Sequence, residues 1–288
     1  MKILRAALLV VAVISPAAGA GHAAGRETGH GPPAGDRALQ AAELKLDLAY
    51  FKGYFADAGA AIVSPLSWDR SQWLGLSAIL GATCAFSNEE DHIQGWLQGR
   101  RNDDTDMVSQ FTRPLGSGKY ALPALFALYG VGSFADSNRA KRTALLGVES
   151  IVISGVFTGA VKYLTHKHRP SPAIIDDVPW DGPGIASANL SFPSGHAACG
   201  FAVATIVANE YGEYVLVRPL AYGAAALAAL SRVNDNAHWV SDIVLGAAIG
   251  HFTASAVLQK HGGSAGKGLR IVPAARDGWI GLAMTYDF

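Results

Sequence analysis

The chain has 288 residues, and its 23 lysines and arginines are balanced by 23 acidic residues, so its formal net charge is zero. A neutral chain has no general electrostatic attraction to nucleic acid, which excludes nucleic acid as an expected partner. Half of the residues are hydrophobic and only 16% are charged. This composition favours a helical protein that lies in or at a membrane.

The N-terminus has the pattern of a bacterial secretory signal peptide, which we place at residues 1–24. Lys2 and Arg5 form a basic start, residues 6–14 are apolar, and small residues follow at 15–20. The alternative is an anchor helix that is not cleaved. Residues 25–40 are rich in Gly, Ala and Pro, and they predict a flexible linker. We therefore expect export to the periplasm.

The next part of the chain predicts an all-α domain at residues 41–262. After a possible amphipathic segment at 41–55, apolar runs recur at helical lengths, and they indicate a bundle of about six helices. The tail, residues 263–288, alternates in hydrophobicity with period two after a turn signal at 276–278, which predicts a short β-hairpin packed on the bundle. The six runs are residues 71–87, 121–135, 144–164, 196–210, 214–231 and 239–258.

A first group of polar residues lies at the end of the third run. Lys162 is followed six residues later by Arg169 and Pro170. Because a residue before proline avoids the helical region, the helix is predicted to end near His166 and to leave Arg169 on a loop. The two cations can then converge on one anion. The alternative is a basic helix end that only complements the helix dipole, and His166 and His168 are predicted to lie at the rim.

A second group begins the fourth run. Pro193 and Ser194 are good helix-start residues, and Gly195 and His196 follow in the first turn. A helix N-terminus presents free N–H groups to an anion, and glycine allows the backbone to approach it closely. The alternative is an ordinary N-cap beside a surface histidine.

A third group, Ser231-Arg232, His238 and Asp242, lies between the fifth and sixth runs. If His238 and Asp242 are on one helix, their spacing of four places them on the same face. A carboxylate beside an imidazole fixes the tautomer and leaves the other nitrogen free to react. The alternative is a surface His–Asp pair. The three groups are predicted to meet at one end of the bundle.

Together the groups read K-x6-R-P, P-S-G-H and S-R-x5-H-x3-D, and this set resembles the signature of the type 2 phosphatidic acid phosphatase and vanadium haloperoxidase superfamily. The resemblance covers residues 140–260. It implies that His238 is the nucleophile, that Asp242 orients it and that His196 is the general acid. It further implies that the phosphate is held without metal or cofactor, and that vanadate inhibits. The implied phosphate-binding residues are Lys162, Arg169, Ser194, Gly195 and Arg232.

The resemblance implies a phosphatase for phosphomonoesters or diphosphates through a phosphohistidine, with a lipid phosphate as the expected substrate. The alternatives are a periplasmic acid phosphatase for small esters, a vanadium-dependent haloperoxidase and a non-enzymatic anion-binding protein. Several runs are shorter than the roughly 20 residues that span a bilayer, and Glu149 interrupts the third. The expectation is therefore a periplasmic protein at a membrane surface, while an inner-membrane protein with its site facing the periplasm stays open. The sequence predicts no oligomeric state.

Overall fold

The computed structural model describes residues 48–63, 66, 68–170, 180–184, 190–262, 269–276 and 279–286. The predicted signal peptide and the predicted linker both lie outside these residues. The helical domain is predicted at residues 41–262, and its N-terminal limit therefore stays a prediction.

The described residues are mostly helical, which confirms the predicted fold class. They form nine α-helices, so the prediction of about six is wrong. A single 3-10 turn, Arg113–Gly116, joins α4 to α5. The helices are α1 Leu48–Val63, α2 Arg70–Asn88, α3 Glu90–Gln98, α4 Asp103–Thr112, α5 Gly118–Phe134, α6 Asn138–Thr165, α7 Gly195–Glu210, α8 Val217–Asn234 and α9 Val240–Lys260.

Of the three helices beyond the six, α1 overlaps the predicted amphipathic segment at 41–55, whereas α3 and α4 are short and polar and leave no long apolar run. In α4 the first turn carries Asp103, Asp104 and Asp106, where carboxylates favour the positive end of the helix dipole. Asn102 begins the helix with a capping box. Its side chain accepts from the Thr105 N–H, and the Thr105 hydroxyl accepts from the Asn102 N–H, both at 3.0 Å. Capping therefore defines this helix more than hydrophobicity does.

The longest of the described helices, α6, is buried along its first half. Ser137 caps its start, and residues 142–151 are buried without interruption. The helix ends at Thr165, because His166 takes a left-handed conformation with φ 47°. This end lies within one residue of the predicted one. A hydrophobic core joins α6 to α7 and α9 through Leu146, Ile153, Ala202, Ile206, Ala254, Val257 and Leu258.

Helices α7 and α9 approach so closely that their contact requires glycine. A Cβ on Gly246 would clash with the carbonyl oxygen of Ser194, and a Cβ on Gly250 would clash with that of Ala198. The first of these contacts lies at the start of α7. The close packing therefore holds the N-terminus of α7 beside the first two turns of α9.

Within the described residues, two helices are long and apolar enough to cross a membrane: α6 with a mean hydropathy of 1.8 and α9 with 1.4. About half of each apolar window is buried inside the protein, 56% and 50%. Large apolar side chains are also exposed elsewhere in the described residues, among them Phe134 and Val215, with exposed fractions of 97% and 86%. Length and hydropathy make these two helices candidates for membrane spans.

The C-terminal tail contains β1, Leu269–Arg276, and β2, Trp279–Tyr286. The strands pair in antiparallel register, with Leu269 opposite Tyr286 and Arg276 opposite Trp279. Residues 277–278 and the side chains of both strands lie outside the described part of the chain. The predicted packing of the tail on the bundle therefore stays a prediction.

Candidate active site

The structure brings the three predicted groups together at one end of the bundle. The first is at the end of α6, the second at the start of α7, and the third in the turn between α8 and α9. Backbone and side-chain hydrogen bonds link each group to another. The site is therefore a fixed arrangement of three chain segments.

The first group contacts the segments that carry the other two. Lys162 donates to the carbonyl oxygens of Leu190 at 2.5 Å and Ser191 at 3.0 Å, just before the second group. Arg169 donates to the carbonyl oxygen of Ala237 at 3.2 Å, next to His238. Both cations are half-buried, which leaves part of each side chain available to an anion.

The second group forms the N-terminus of α7, as predicted. Ser194 is the N-cap and its hydroxyl accepts from the Ala197 N–H at 3.4 Å. A Cβ added to Gly195 would meet no atom within 4 Å, so the backbone is open on that side. His196 follows in the first turn and is partly buried. Free N–H groups, the helix dipole and an imidazole thus face one space that suits an anion.

The spacing of the third group is explained by a closed turn. The carbonyl oxygen of Arg232 accepts from the N–H of Ala237 at 2.9 Å and of His238 at 3.2 Å, and Asn236 takes a positive φ of 55°. This turn returns His238 to the level of Arg232. One end of the Arg232 guanidinium donates to Asp235 at 2.7 Å. Its Nε is buried without a hydrogen-bond partner in the described residues, as expected of a donor that awaits a ligand.

His238 and Asp242 lie together, but not as two positions on one helix. His238 precedes α9, and Trp239 is the N-cap, so the prediction that both residues share a helix face is wrong. Asp242 occupies the third helical position and accepts from the Trp239 N–H at 2.9 Å, as acidic residues commonly do there. Its Oδ2 also lies 3.3 Å from His238 Nδ1. His238 and Asp242 are therefore in contact, as the spacing predicted, but across the N-terminus of α9 and not along one helix face.

Burial lowers the pKa of both histidines below the ordinary value. For His196 the pKa falls to about 4, first because of burial and then because of repulsion by Arg232, by His238 when it is protonated, and by Arg113 and Arg169. For His238 burial is again the largest cause, and the hydrogen bond to Asp242 opposes it. Both imidazoles are therefore neutral near pH 7.

Sequence reasoning missed the groups that surround Asp242. The Ser191 hydroxyl donates to Asp242 Oδ2 at 2.5 Å, and Lys167 Nζ donates to Oδ1 at 3.0 Å. Both Ser191 and Lys167 are fully buried. Neither lies in a helical pattern that marks a core residue, so the sequence carried no clear signal for them.

The histidines that flank Lys167 are not at a rim, contrary to the prediction. His166 and His168 are buried, with exposed fractions of 6% and 9%. His166 Nδ1 lies 3.3 Å and His168 Nε2 2.9 Å from Asp181 Oδ2. They therefore attach the chain around Asp181 to the end of α6.

Among the described residues, one group of side chains could supply three metal ligands within 4.8 Å of one another: Asp57, Glu149 and His261. Asp57 already pairs with Lys260, and Glu149 accepts from the Tyr50 hydroxyl at 2.8 Å. His261 follows the end of α9 and Asp242 lies in its first turn, which separates the two by about 28 Å along the helix. This group is thus remote from the two catalytic candidates.

The family model for the PAP2 superfamily matches residues 143–264, which include all three groups. A lipid A 1-phosphatase of Porphyromonas gingivalis is 33% identical over 133 residues, which are 45% of this chain and 27% of that protein. The chain therefore spans only about a quarter of that relative. A decaprenylphosphoryl-5-phosphoribose phosphatase of Mycobacterium tuberculosis is 31% identical over 137 residues, which are 46% of this chain and 68% of that protein.

Two solved structures are similar in part. The crystal structure of Aquifex aeolicus LpxE has a TM-score of 0.47 at 22% identity and covers 59% of this chain and 94% of its own. The transmembrane PAP2-type phosphatidylglycerolphosphate phosphatase of Bacillus subtilis has a TM-score of 0.44 at 17% identity, with 74% and 94% covered. The matched family model and the Mycobacterium tuberculosis relative confirm the resemblance stated from the sequence motifs, and the chain belongs to the PAP2 superfamily.

Proposed function

We propose that this protein is a metal-independent phosphatase that hydrolyses a lipid phosphate, either a monoester or a diphosphate, through a phosphohistidine. The observation that carries the proposal is the contact of 3.3 Å between His238 Nδ1 and Asp242 Oδ2. It fixes the imidazole by one nitrogen and leaves Nε2 as the nitrogen that reacts.

In the first step His238 Nε2 attacks phosphorus, and the bond from phosphorus to the leaving oxygen breaks. His196 gives its proton to that oxygen, so a monoester releases a neutral alcohol and a diphosphate releases a protonated phosphate monoester. In the second step His196 takes a proton from water, and the hydroxide displaces His238 from phosphorus. Asp242 stabilises the positive charge that His238 carries as a phosphohistidine.

Three basic side chains take the part that a metal has in other phosphotransferases. Lys162, Arg169 and Arg232 can neutralise the charge that spreads over the equatorial oxygens. The Nε of Arg232 has no hydrogen-bond partner among the described residues, which supports its role as a hydrogen-bond donor to phosphate. The Ser194 hydroxyl and the Gly195 N–H complete the proposed phosphate site at the positive end of α7.

A lipid substrate is supported by the relatives and by the surface of the protein. The two curated relatives are named as phosphatases of lipid A and of a decaprenyl-linked phosphoribose. Here the described residues also expose large apolar side chains at the end of α6 that carries the site, namely Tyr163 and Leu164, with exposed fractions of 51% and 60%. We propose that this surface meets a membrane, on the periplasmic side if residues 1–24 direct export.

The proposal is tested by measuring phosphate release from a short-chain soluble ester and from a long-chain lipid phosphate in detergent micelles. We expect faster turnover of the lipid and inhibition by vanadate. A substrate that carries 32P in its phosphate should label the protein, and acid should remove the label. His238→Ala should lose both turnover and labelling, whereas His92→Ala, at an exposed histidine of α3, should retain both. Preference for the soluble ester would overturn the lipid assignment. Release from neither, with peroxide-dependent halide oxidation after addition of vanadate, would overturn the phosphatase itself.

A further inference from the structure

Lys167 is a completely buried cation that contacts Asp242, the residue proposed to orient the nucleophile His238. None of its surface is exposed, and its Nζ donates to three oxygens: Asp242 Oδ1 at 3.0 Å, Ser241 Oγ at 3.0 Å and Glu90 Oε1 at 2.5 Å. The rings of Trp180, Phe192 and Trp239 surround it, with centroids 4.9 to 5.7 Å from Nζ. A buried ammonium is retained only when it is paired and hydrogen-bonded, as it is here.

The two oxygens of Asp242 are divided between Lys167 and His238. Oδ2 faces His238 and also accepts from Ser191 and the Trp239 N–H, while Oδ1 accepts from Lys167. Lys167 therefore acts on the carboxylate that orients the nucleophile, and it does so from the side away from the imidazole. A cation in this position fixes the carboxylate but also weakens its attraction for a positive charge on His238.

Glu90 balances that cation. It is the first residue of α3, is buried, and its Oε1 accepts from both Lys167 and Ser241. With Glu90 and Lys167 both ionised, the pair is neutral, and the cluster that includes Asp242 keeps one negative charge. The carboxylate thus remains available to stabilise a positively charged His238.

We propose that Glu90 and Lys167 form a positioning pair, in which Lys167 holds the Asp242 carboxylate in place and Glu90 cancels the charge of Lys167. The inference rests on the proposed role of His238. It assigns a part in the site to α3, which precedes the segment of residues 143–264 matched by the family model. Helix α3, which lies before that segment, then contributes a side chain to the active site.

The test uses two variants that change the charge of the pair in opposite directions. Glu90→Gln removes a negative charge, so the pKa of His238 should fall. Lys167→Met removes a positive charge, so it should rise, each by about half a pH unit or more. Other charged groups that act on His238 are Asp242, Lys162, Arg169 and His196, and both variants leave them unchanged. The double variant should return the pKa close to that of the wild type.

The pKa of His238 is measured by 15N NMR titration of the imidazole in the full chain without substrate, and the pH profiles of kcat and kcat/KM are measured beside it. The expected opposite shifts should appear in both, with kcat reduced more than KM is changed. Lys167→Arg, which keeps the charge, should stay near the wild type. A matched control is the buried pair Arg142–Glu210, joined at 3.0 Å at the other end of α6, where Arg142→Met and Glu210→Gln should move neither measurement.

Shifts in the same direction, or no shift in Glu90→Gln, would overturn the inference. If Lys167→Met does not fold, Glu90→Gln and Lys167→Arg still decide it, because they retain a side chain of similar size. The NMR titration also separates the two proposals. A wild-type protein without turnover that shows the opposite shifts would refute the proposed function alone, and turnover without the shifts would refute only the positioning pair.

Discussion

A bound dianion should raise the pKa of His196, so that substrate binding supplies the proton for catalysis. Burial and neighbouring cations hold this pKa at about 4, whereas the ordinary value is 6.5. If a tetrahedral dianion between Arg232 and Arg169 restores the ordinary value, binding and protonation are linked. For a shift from about 4 to 6.5, linkage makes the dianion bind about 20-fold more tightly at pH 5 than at pH 7.

Sulfate is the probe for this prediction, because it keeps two negative charges over that pH range while phosphate and vanadate titrate. Its affinity is measured by calorimetry at pH 5, 6 and 7, in buffers of different ionisation enthalpy that report the uptake of protons. His196→Gln should remove most of the pH dependence of sulfate affinity. His238→Gln shows how much of that dependence comes from the second imidazole. Equal affinity at pH 5 and pH 7 in the wild type, or an unchanged slope in His196→Gln, would refute the reasoning.

Three further outcomes follow from the geometry. Asp242→Asn should lower kcat by at least about 100-fold, because an amide can hold the wrong tautomer of His238, and circular dichroism should show an intact helical fold. Chelators should leave phosphate release unchanged, since three cations replace a metal; a loss of activity restored by one added metal would contradict this. Gly246→Ala should destabilise the protein by about 1–3 kcal/mol, because its Cβ meets the Ser194 carbonyl, whereas Gly223→Ala in α8, with nothing within 4 Å, should be neutral or stabilising by about 0.5–1 kcal/mol in urea unfolding.

Apolar runs predicted the helices that form the core, and they failed for the helices that do not. The runs at 144–164 and 196–210 correspond closely to α6 and α7. Helices α3 and α4 bury only two residues and one residue, respectively, so hydrophobic periodicity had almost nothing to report there. In the sequence these two helices are marked only by an acidic first turn and, in α4, by the capping residue Asn102. Such polar residues are also common in loops, so they did not identify the helices.

The candidate site was more predictable than the fold around it, because motif spacing encodes contacts that are close along the chain. The interval from Arg232 to His238 is a closed turn, and the interval from His238 to Asp242 is an N-cap with its third helical residue. Glu90 is 152 residues from Asp242, and only the packed fold brings its carboxylate to Lys167. No spacing rule can express a contact of that kind.

The positions of the two histidines relative to each other depend on backbone contacts more than on side chains. The Ser194 N–H donates to the carbonyl oxygen of Asp242 at 2.9 Å, which joins the cap of α7 to the first turn of α9. Gly246, one turn further along α9, allows the same cap to lie against that helix. His196 follows Ser194 by two residues, and His238 precedes Asp242 by four. Because one backbone junction holds both segments, the proposed acid and the proposed nucleophile keep their separation before any phosphate arrives, and the cost of arranging them is met when the chain folds.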